Sequence, residues 1–465
     1  MRRTFLLILI GVFLGGCSLA PTYTRPEAPV PAAWPASTGQ QAEKPKEAAA
    51  DVPWKDFFVD EKLQKVVGLA LANNRDLRVA ALNVQRTQAL YRIQRAELLP
   101  SIDASGTYSK ERVSGILSQA GQPANLEFYN LSIGIIAWEI DFFGRIRNLS
   151  DAALQQYFAT EQARTGAQIS LIAEVANTYL TLAADRENLE LARSTLKTQQ
   201  ETYEMIRRRA EVGASSDLDL RQAQTRVDAA RVDIARFTSQ VALDENALTL
   251  LVGSPVPAEL LPDSLSDVTA PRDFTPGLPS EALQRRPDIL QAESQLKAAH
   301  ANIGAARAAF VPRITLTTSI GTTSDQLSGL FKAGTDTWTF IPQFVMPIFD
   351  ARTWAAYDVT KVDREIAIAQ YEKAIQAGFR EVADTLAQRA TLGDQLQAQQ
   401  SLVDASEVSY RLSDARYTRG IDSYLRVLDA QRSLYGAQQG LIAIRLARIT
   451  NLVTLYKVLG GGGAL

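Results

Sequence analysis

Residues able to do chemistry are scarce in this sequence. Its 465 residues include one cysteine, Cys17, and one histidine, His300. A lone imidazole does not assemble a nucleophilic triad, and no Gly-rich Walker-type loop is present. One thiol and one imidazole leave almost no soft ligands for zinc and exclude a disulfide framework within the chain. The expectation is a protein that is not an enzyme and uses no metal or cofactor, with His300 an ordinary residue of an alanine-rich helix. The cysteine does have a recognisable setting. It follows Leu14-Gly15-Gly16, after two arginines and an apolar run over residues 5–14 that is too short to span a bilayer. That is a secretory signal ending in a lipobox, so Cys17 is expected to become the lipidated, palmitate-bearing first residue of the mature chain. Ser18, where an aspartate would favour retention at the inner membrane, points to the outer membrane.

The elements that position these residues must follow from the remainder of the chain. Basic and acidic residues nearly cancel, at a formal net charge of -2, which removes any global attraction to nucleic acid or another polyanion. From Cys17 to about residue 51 the chain is rich in Pro, Ala and Gln, with prolines at 21, 26, 29, 31, 35 and 45, and reads as an extended tether. Nothing downstream offers about twenty consecutive apolar residues, so if the chain crosses a membrane, strands must do it.

The sequence repeats itself at an offset of about 210 residues. Asn74-Arg75-Asp76-Leu77 leads through Ala80 and Ala96 to Pro100-Ser101-Ile102. Arg286-Pro287-Asp288-Ile289 leads through Ala292 and Ala308 to Pro312-Arg313-Ile314. Phe142 to Arg145 returns as Phe349 to Arg352, Glu174-Val175-Ala176 as Glu381-Val382-Ala383, and Gly213 with Leu218 as Gly420 with Leu425. The expected organisation is a signal over 1–16, a lipid-anchored tether over 17–51 and a first repeat over 52–252. A connector with six prolines over 253–279 then leads to a second repeat over 280–458 and a flexible Gly-rich tail over 459–465.

Each repeat reads as a helix, two strands and a very long helical segment. The stretches 147–212 and 352–418 contain no proline, and apolar residues recur at three- and four-residue spacing, as in Leu218, Ala223, Val227, Ala230 and Ile234. That is coiled-coil-like composition. The strand candidates alternate with period two. Leu131, Ile133 and Ile135 stand between Asn130, Ser132 and Gly134, and Ile314, Leu316 and Ile320 between Thr315, Thr317 and Ser319. Trp338, Phe340 and Phe344 alternate with Thr339 and Gln343. Strands of this kind suit a transmembrane barrel, although two soluble hairpins with one buried face would alternate in the same way. Four strands cannot close a barrel, and open edges in lipid leave backbone groups unsatisfied, so several copies would have to share one.

These residues resemble a known family, the outer-membrane factors or TolC-like channel tunnels, and in particular its OprM-like lipoprotein branch. The resemblance lies in Glu139-Ile140-Asp141-Phe142-Phe143-Gly144-Arg145, Arg285-Arg286-Pro287-Asp288-Ile289, Asn302 to Phe310, Leu428-Asp429-Ala430-Gln431-Arg432 and Leu459-Gly460-Gly461-Gly462. Ile140 and Phe142 stand where leucines are usual. The resemblance implies a mixed α+β, mainly α membrane protein that forms a homotrimer. Four strands per chain would make a twelve-stranded outer-membrane β-barrel continuing into a long periplasmic α-helical barrel. It implies passive export of drugs or other toxic compounds, with a periplasmic adaptor (membrane fusion) protein and an inner-membrane RND-type transporter as partners.

The resemblance also implies a periplasmic gate. Matching Tyr417 to Ala430 places a hydrophobic ring at Leu425 and an acidic ring at Asp429, four residues apart and so on one helix face. Arg416 and Tyr417 match residues that link neighbouring helices in the closed state. The tips near Gly213 and Gly420 match the adaptor-contact region. Three converging carboxylates would repel one another and attract cations. Two other readings stay open: a channel for metal ions or secreted polypeptides, and a non-conducting coiled-coil lipoprotein that serves as a spacer.

Overall fold

A computed structural model describes residues 18–35, 48–116, 121–274, 277 and 279–463. Cys17 and the signal segment lie outside the described residues. Three helices, α1 (Trp54–Phe57), α2 (Glu61–Asn73) and α3 (Arg75–Ala96), precede strands β1 (Asp103–Val113) and β2 (Ala124–Glu139). Two long helices follow, α4 (Arg145–Glu211) and α5 (Asp217–Val252). After a linking segment come α6 (Pro279–Leu283), α7 (Pro287–Ala308), β3 (Arg313–Ser324), β4 (Asp336–Val345), α8 (Ala351–Thr418) and α9 (Tyr424–Val458).

The internal repeat is visible in the elements themselves. α3 and α7 each have 22 residues; α4 has 67 and α8 has 68; α5 has 36 and α9 has 35. Proline-free stretches propagate as single helices because each added residue gains a backbone bond without a new nucleation cost. At 1.5 Å rise per residue, α4 is about 100 Å long. None of the helices among the described residues is long and apolar enough to cross a membrane.

The chain divides into two units, each drawing on both repeats. One contains residues 83–160 and 292–371 with the described N-terminal residues up to Pro26, and so holds the four strands. These form one antiparallel sheet in the order β1-β2-β3-β4, leaving β1 and β4 as edges. The register aligns Ala104, Ile133, Ile320 and Trp338 across the sheet. Ile133, Ile320 and Trp338 are exposed, Trp338 by 76%. The adjacent row, on the opposite face, is Ser105, Ser132, Gly321 and Thr337. There Ser105 and Ser132 are hydrogen-bonded at 2.9 Å, and Asn130 Nδ2 donates to Thr323 Oγ1 at 3.1 Å. At these levels one face is apolar and exposed and the other small and polar, while Phe128 and Ile341 project from that second face nearer the strand ends. A β2 irregularity between Ile135 and Trp138 places Ala137 at φ 51, with its N–H donating to Thr317 Oγ1. The extra chain re-aims Trp138 at the end of the strand.

The other unit holds the main core. Leu63, Val66 and Val67 of α2, Val175, Tyr179 and Leu182 of α4, Leu248 and Val252 of α5, Val382 of α8 and Tyr456 of α9 are buried together. Two segments differ here from the expectation drawn from sequence. The Pro-rich connector contributes Leu265, Val268 and Phe274 to this core, and so does Trp34 of the N-terminal tether, whose Nε1 donates to the Gly277 carbonyl at 2.8 Å. Earlier in the tether, within the strand-bearing unit, Arg25 forms a two-pronged pair with the buried Glu293 at 3.2 and 2.7 Å. Tyr23 stands edge-on to His300 at 5.4 Å. In the described part of the tether, aromatic and charged side chains between the prolines fasten the segment down.

The Gly-rich end is a second correction. Gly460 to Gly463, expected to be flexible, pack against the core, with Gly460, Gly461 and Gly462 buried. Gln168 Nε2 donates to the Gly462 carbonyl at 2.9 Å. A Cβ at Gly461 would strike the ring of Tyr456. That ring is stacked on Phe57 at 3.9 Å, and its hydroxyl donates to the Val52 carbonyl at 2.6 Å, so it has no room to retreat. Gly461→Ala is expected to destabilise the protein by about 1–3 kcal/mol through overpacking. Thermal unfolding of the purified variant checks this, and an unchanged midpoint would mean that the tail is not held as described.

Candidate functional site

The candidate site lies where α4 turns into α5 and α8 turns into α9. Both turns use the same backbone device. Gly213 donates to the Ala210 carbonyl and Ala214 to Arg209, while Gly420 donates to Tyr417 and Ile421 to Arg416. These are paired Schellman closures, which need a left-handed residue after the last helical turn. Glycine supplies it, at φ 78 for Gly213 and φ 75 for Gly420. Nothing lies within 4 Å of a Cβ at either position, so both tips face open space. The helices then restart in different ways. Ser216 and Asp219 form a reciprocal capping box at the start of α5, whereas Ser423 makes no side-chain cap at α9.

A small core ties the two hairpins together. Ile206 of α4, Ala223 of α5 and Tyr424, Val427 and Leu428 of α9 are buried against one another, with Tyr203, Leu220, Tyr410 and Tyr417 around them. Tyr424 is 2% exposed, and burial pushes its phenol well above the usual range, so the hydroxyl stays protonated. This face of α9 dictates what the other face presents. Leu425 is 53% exposed. Asp429, one turn on, is also exposed, with Arg432 Nη2 at 3.3 Å from its Oδ1. An apolar and an acidic side chain therefore stand one above the other on a surface that none of the described residues covers. The equivalent positions in the first repeat are Leu218, also exposed, and Gln222, so the acid belongs to the second repeat alone.

Arg416 and Tyr417 sit beside this surface and bond within their own chain. Arg416 Nε donates to Asp422 Oδ2 at 2.6 Å, closing the turn and holding the Asp422 carboxyl below the usual carboxylate range. Tyr417 packs on Tyr424 at 5.2 Å, and the Arg209 guanidinium lies 5.4 Å from its ring centre. Among the described residues, no group of three His, Cys, Asp or Glu is placed to hold a metal ion.

Sequence reading passed over several polar centres. Arg286 is one of them, its side chain only 8% exposed. Its guanidinium donates to both Asp288 oxygens at 3.0 and 2.7 Å, to Glu381 Oε2 at 2.7 Å and to the Val458 carbonyl at 2.8 Å. Glu139 receives two bonds from Arg145 at 2.8 Å each and also meets Arg313 at 2.6 Å. The available signal was acid and base six apart around Gly144, a spacing that a left-handed turn brings together.

Fold and site define an internally duplicated membrane protein with a small antiparallel sheet in one unit and long helices joined in hairpins in the other. The chain belongs to the outer membrane efflux protein family, whose model matches residues 66–254 and 278–461. It is similar to the antibiotic efflux pump outer membrane protein ArpC of Pseudomonas putida, 48% identical over 465 residues, covering 99% of this chain and 96% of that one. Among solved structures it is similar to a membrane protein from Pseudomonas aeruginosa, at 41% identity and TM-score 0.91, covering 96% of this chain and 98% of that one. It is also similar to the open state of the Neisseria gonorrhoeae MtrE outer membrane channel, at 37% identity and TM-score 0.84, with the same coverage of 96% and 98%.

Proposed function

We propose that this protein is the outer-membrane duct of a tripartite efflux pump, a passive trimeric conduit without catalytic chemistry. The observation that carries the reading is the sheet: four strands that, among the described residues, are unpaired at both edges, with central rows that are apolar and exposed on one face and small and polar on the other. In lipid an open edge strands several unsatisfied N–H and C=O groups, so such a sheet must close on copies of itself. Three copies bring twelve strands, an even number within the range of such barrels, with the apolar row toward lipid and the Ser, Thr and Gly row toward the lumen. The long helices then form the periplasmic wall, and lipid on Cys17 anchors the trimer to the membrane.

On the same reading Leu425 and Asp429 constrict the periplasmic end, and Arg416 and Tyr417 exchange their partners within the chain for neighbouring helices as the constriction changes state. The exposed turns at Gly213 and Gly420 meet a periplasmic adaptor, which couples the duct to an RND-type transporter in the inner membrane. Drugs or similar toxic compounds are the cargo, in keeping with the antibiotic export named for ArpC. Planar-bilayer recording on the purified protein tests the conduit. Discrete, small, cation-preferring currents are expected. Verified insertion without any current would favour the non-conducting spacer.

A further inference from the structure

A second acidic centre lies on α4 and α5, in the helical unit and away from the turns at Gly213 and Gly420. Asp244 of α5 is 8% exposed. Gln240 Nε2 donates to its Oδ1 at 3.1 Å, but its Oδ2 is buried without a donor among the described residues. Facing it from α4 is the carboxyl of Asp185, within hydrogen-bonding reach, with Asn188 bonded to Asp185 from the same helix. Two ionised carboxylates have no hydrogen to put between them, and a buried acceptor left unpaired costs more than a hydrogen bond returns.

The surrounding charges do not relieve the pair. On α4, Arg186 is committed to Glu245 of α5 at 2.7 Å and to the Pro262 carbonyl at 2.7 Å. Glu187 takes Arg445 of α9 at 2.8 Å. On α5, Arg236 is paired with Asp233 at 2.9 Å, and Asp233 also receives the Tyr435 hydroxyl of α9 at 3.1 Å. Arg236, the cation that favours an ionised Asp185, is thus shared with Asp233. Asp263, in the segment after α5, is paired with Lys62 of α2 at 3.5 Å.

We propose that Asp185 and Asp244 hold one proton between them, and that this carboxyl–carboxylate bond is an acid-operated latch joining α4 to α5. Asp185 supplies the O–H that the buried Asp244 Oδ2 lacks. Burial, with the neighbouring Asp244 carboxylate, pushes Asp185 up to about 6. An acid that is easier to protonate in the folded chain than in the unfolded one adds stability at low pH. That contribution is complete below the ordinary aspartate value of 3.8 and is lost as pH rises through about 6. Above that, both carboxylates ionise and repel, and the α4–α5 contact loosens at this level. The latch would tighten as the medium acidifies.

The test uses the full-length purified protein and its Asp244→Asn and Asp185→Asn variants. An amide at either position can donate to the remaining carboxylate and so replaces the shared proton at every pH. The wild-type unfolding midpoint is expected to fall by a few degrees more than that of either variant between pH 5 and pH 7.5. With isotope-labelled aspartate, infrared difference spectra should show a protonated-carboxyl band that fades through about pH 6 in the wild type and is missing from both variants. Parallel stability profiles in all three proteins, or no such band at pH 5 in the wild type, would overturn the latch. So would selective stabilisation of the wild type by calcium at pH 7.5, because a hard cation would then be the group that the carboxylates share.

Discussion

Single-channel current is expected to grow on the order of tenfold when Leu425 and Asp429 are both replaced by alanine, the change that about 1.4 kcal/mol off the barrier to ion passage produces. The cause lies in how α9 packs. Tyr424, Val427 and Leu428 are committed to the small core, so the helix cannot rotate to hide its other face. Leu425 and Asp429 must therefore project from it. If three copies meet about an axis, three leucines form an apolar neck and three carboxylates an acidic one, and each resists passage differently. An apolar neck excludes water and ions together, whereas an acidic one admits cations. Leu425→Ala alone should raise the current and keep the cation preference. Asp429→Ala alone should weaken the preference while raising the current less. Recordings in which neither single variant differs from wild type would place the constriction elsewhere on the helices.

Loss of stability should be largest at Arg286. Arg286→Ala removes one guanidinium that serves two carboxylates and a backbone carbonyl, in a side chain only 8% exposed. Breaking a buried pair from one side costs about 3–5 kcal/mol, because the partners lose their donor and remain partly desolvated. Asp288 and Glu381 keep 49% and 42% of their side chains exposed, and water can solvate them in part, which argues for the lower end, about 3 kcal/mol. Arg286→Lys should recover only part of this, since one ammonium cannot reproduce the planar fork that reaches Asp288 with two nitrogens. Thermal or denaturant unfolding of both variants decides the matter. A cost below about 1 kcal/mol for the alanine variant would show that the network is dispensable.

Much of the architecture was legible because it is written in local periodicity. Helix lengths follow from the absence of proline, the strands from their period-two alternation, and the duplication from the constant offset between matching residues. The two turn glycines could be read for a related reason: a left-handed closure at the end of a long helix leaves few residues to choose from. Arg286 was quoted as part of a motif without its role, because Glu381 and the Val458 carbonyl reach it from remote parts of the chain. The Gly-rich end was misread for the converse reason. Glycine denotes freedom only where no neighbour occupies the space, and here Tyr456 and Ile172 fill it.

By itself the sequence determined the class of protein. It set which segments are helix and strand, that two halves correspond, and that no apolar helix is available to span a bilayer. It also put Leu425 and Asp429 on one face, because the helical period alone decides which residues share a side. Tertiary structure decided which side faces outward, since only the packing of Tyr424, Val427 and Leu428 against Ile206 and Ala223 determines what α9 buries. It decided too that the tether is fastened through Arg25 and Trp34, and that Asp185 meets Asp244 across two helices. Each of these depends on groups far apart in the chain arriving at one place, where burial removes the water that would otherwise satisfy them.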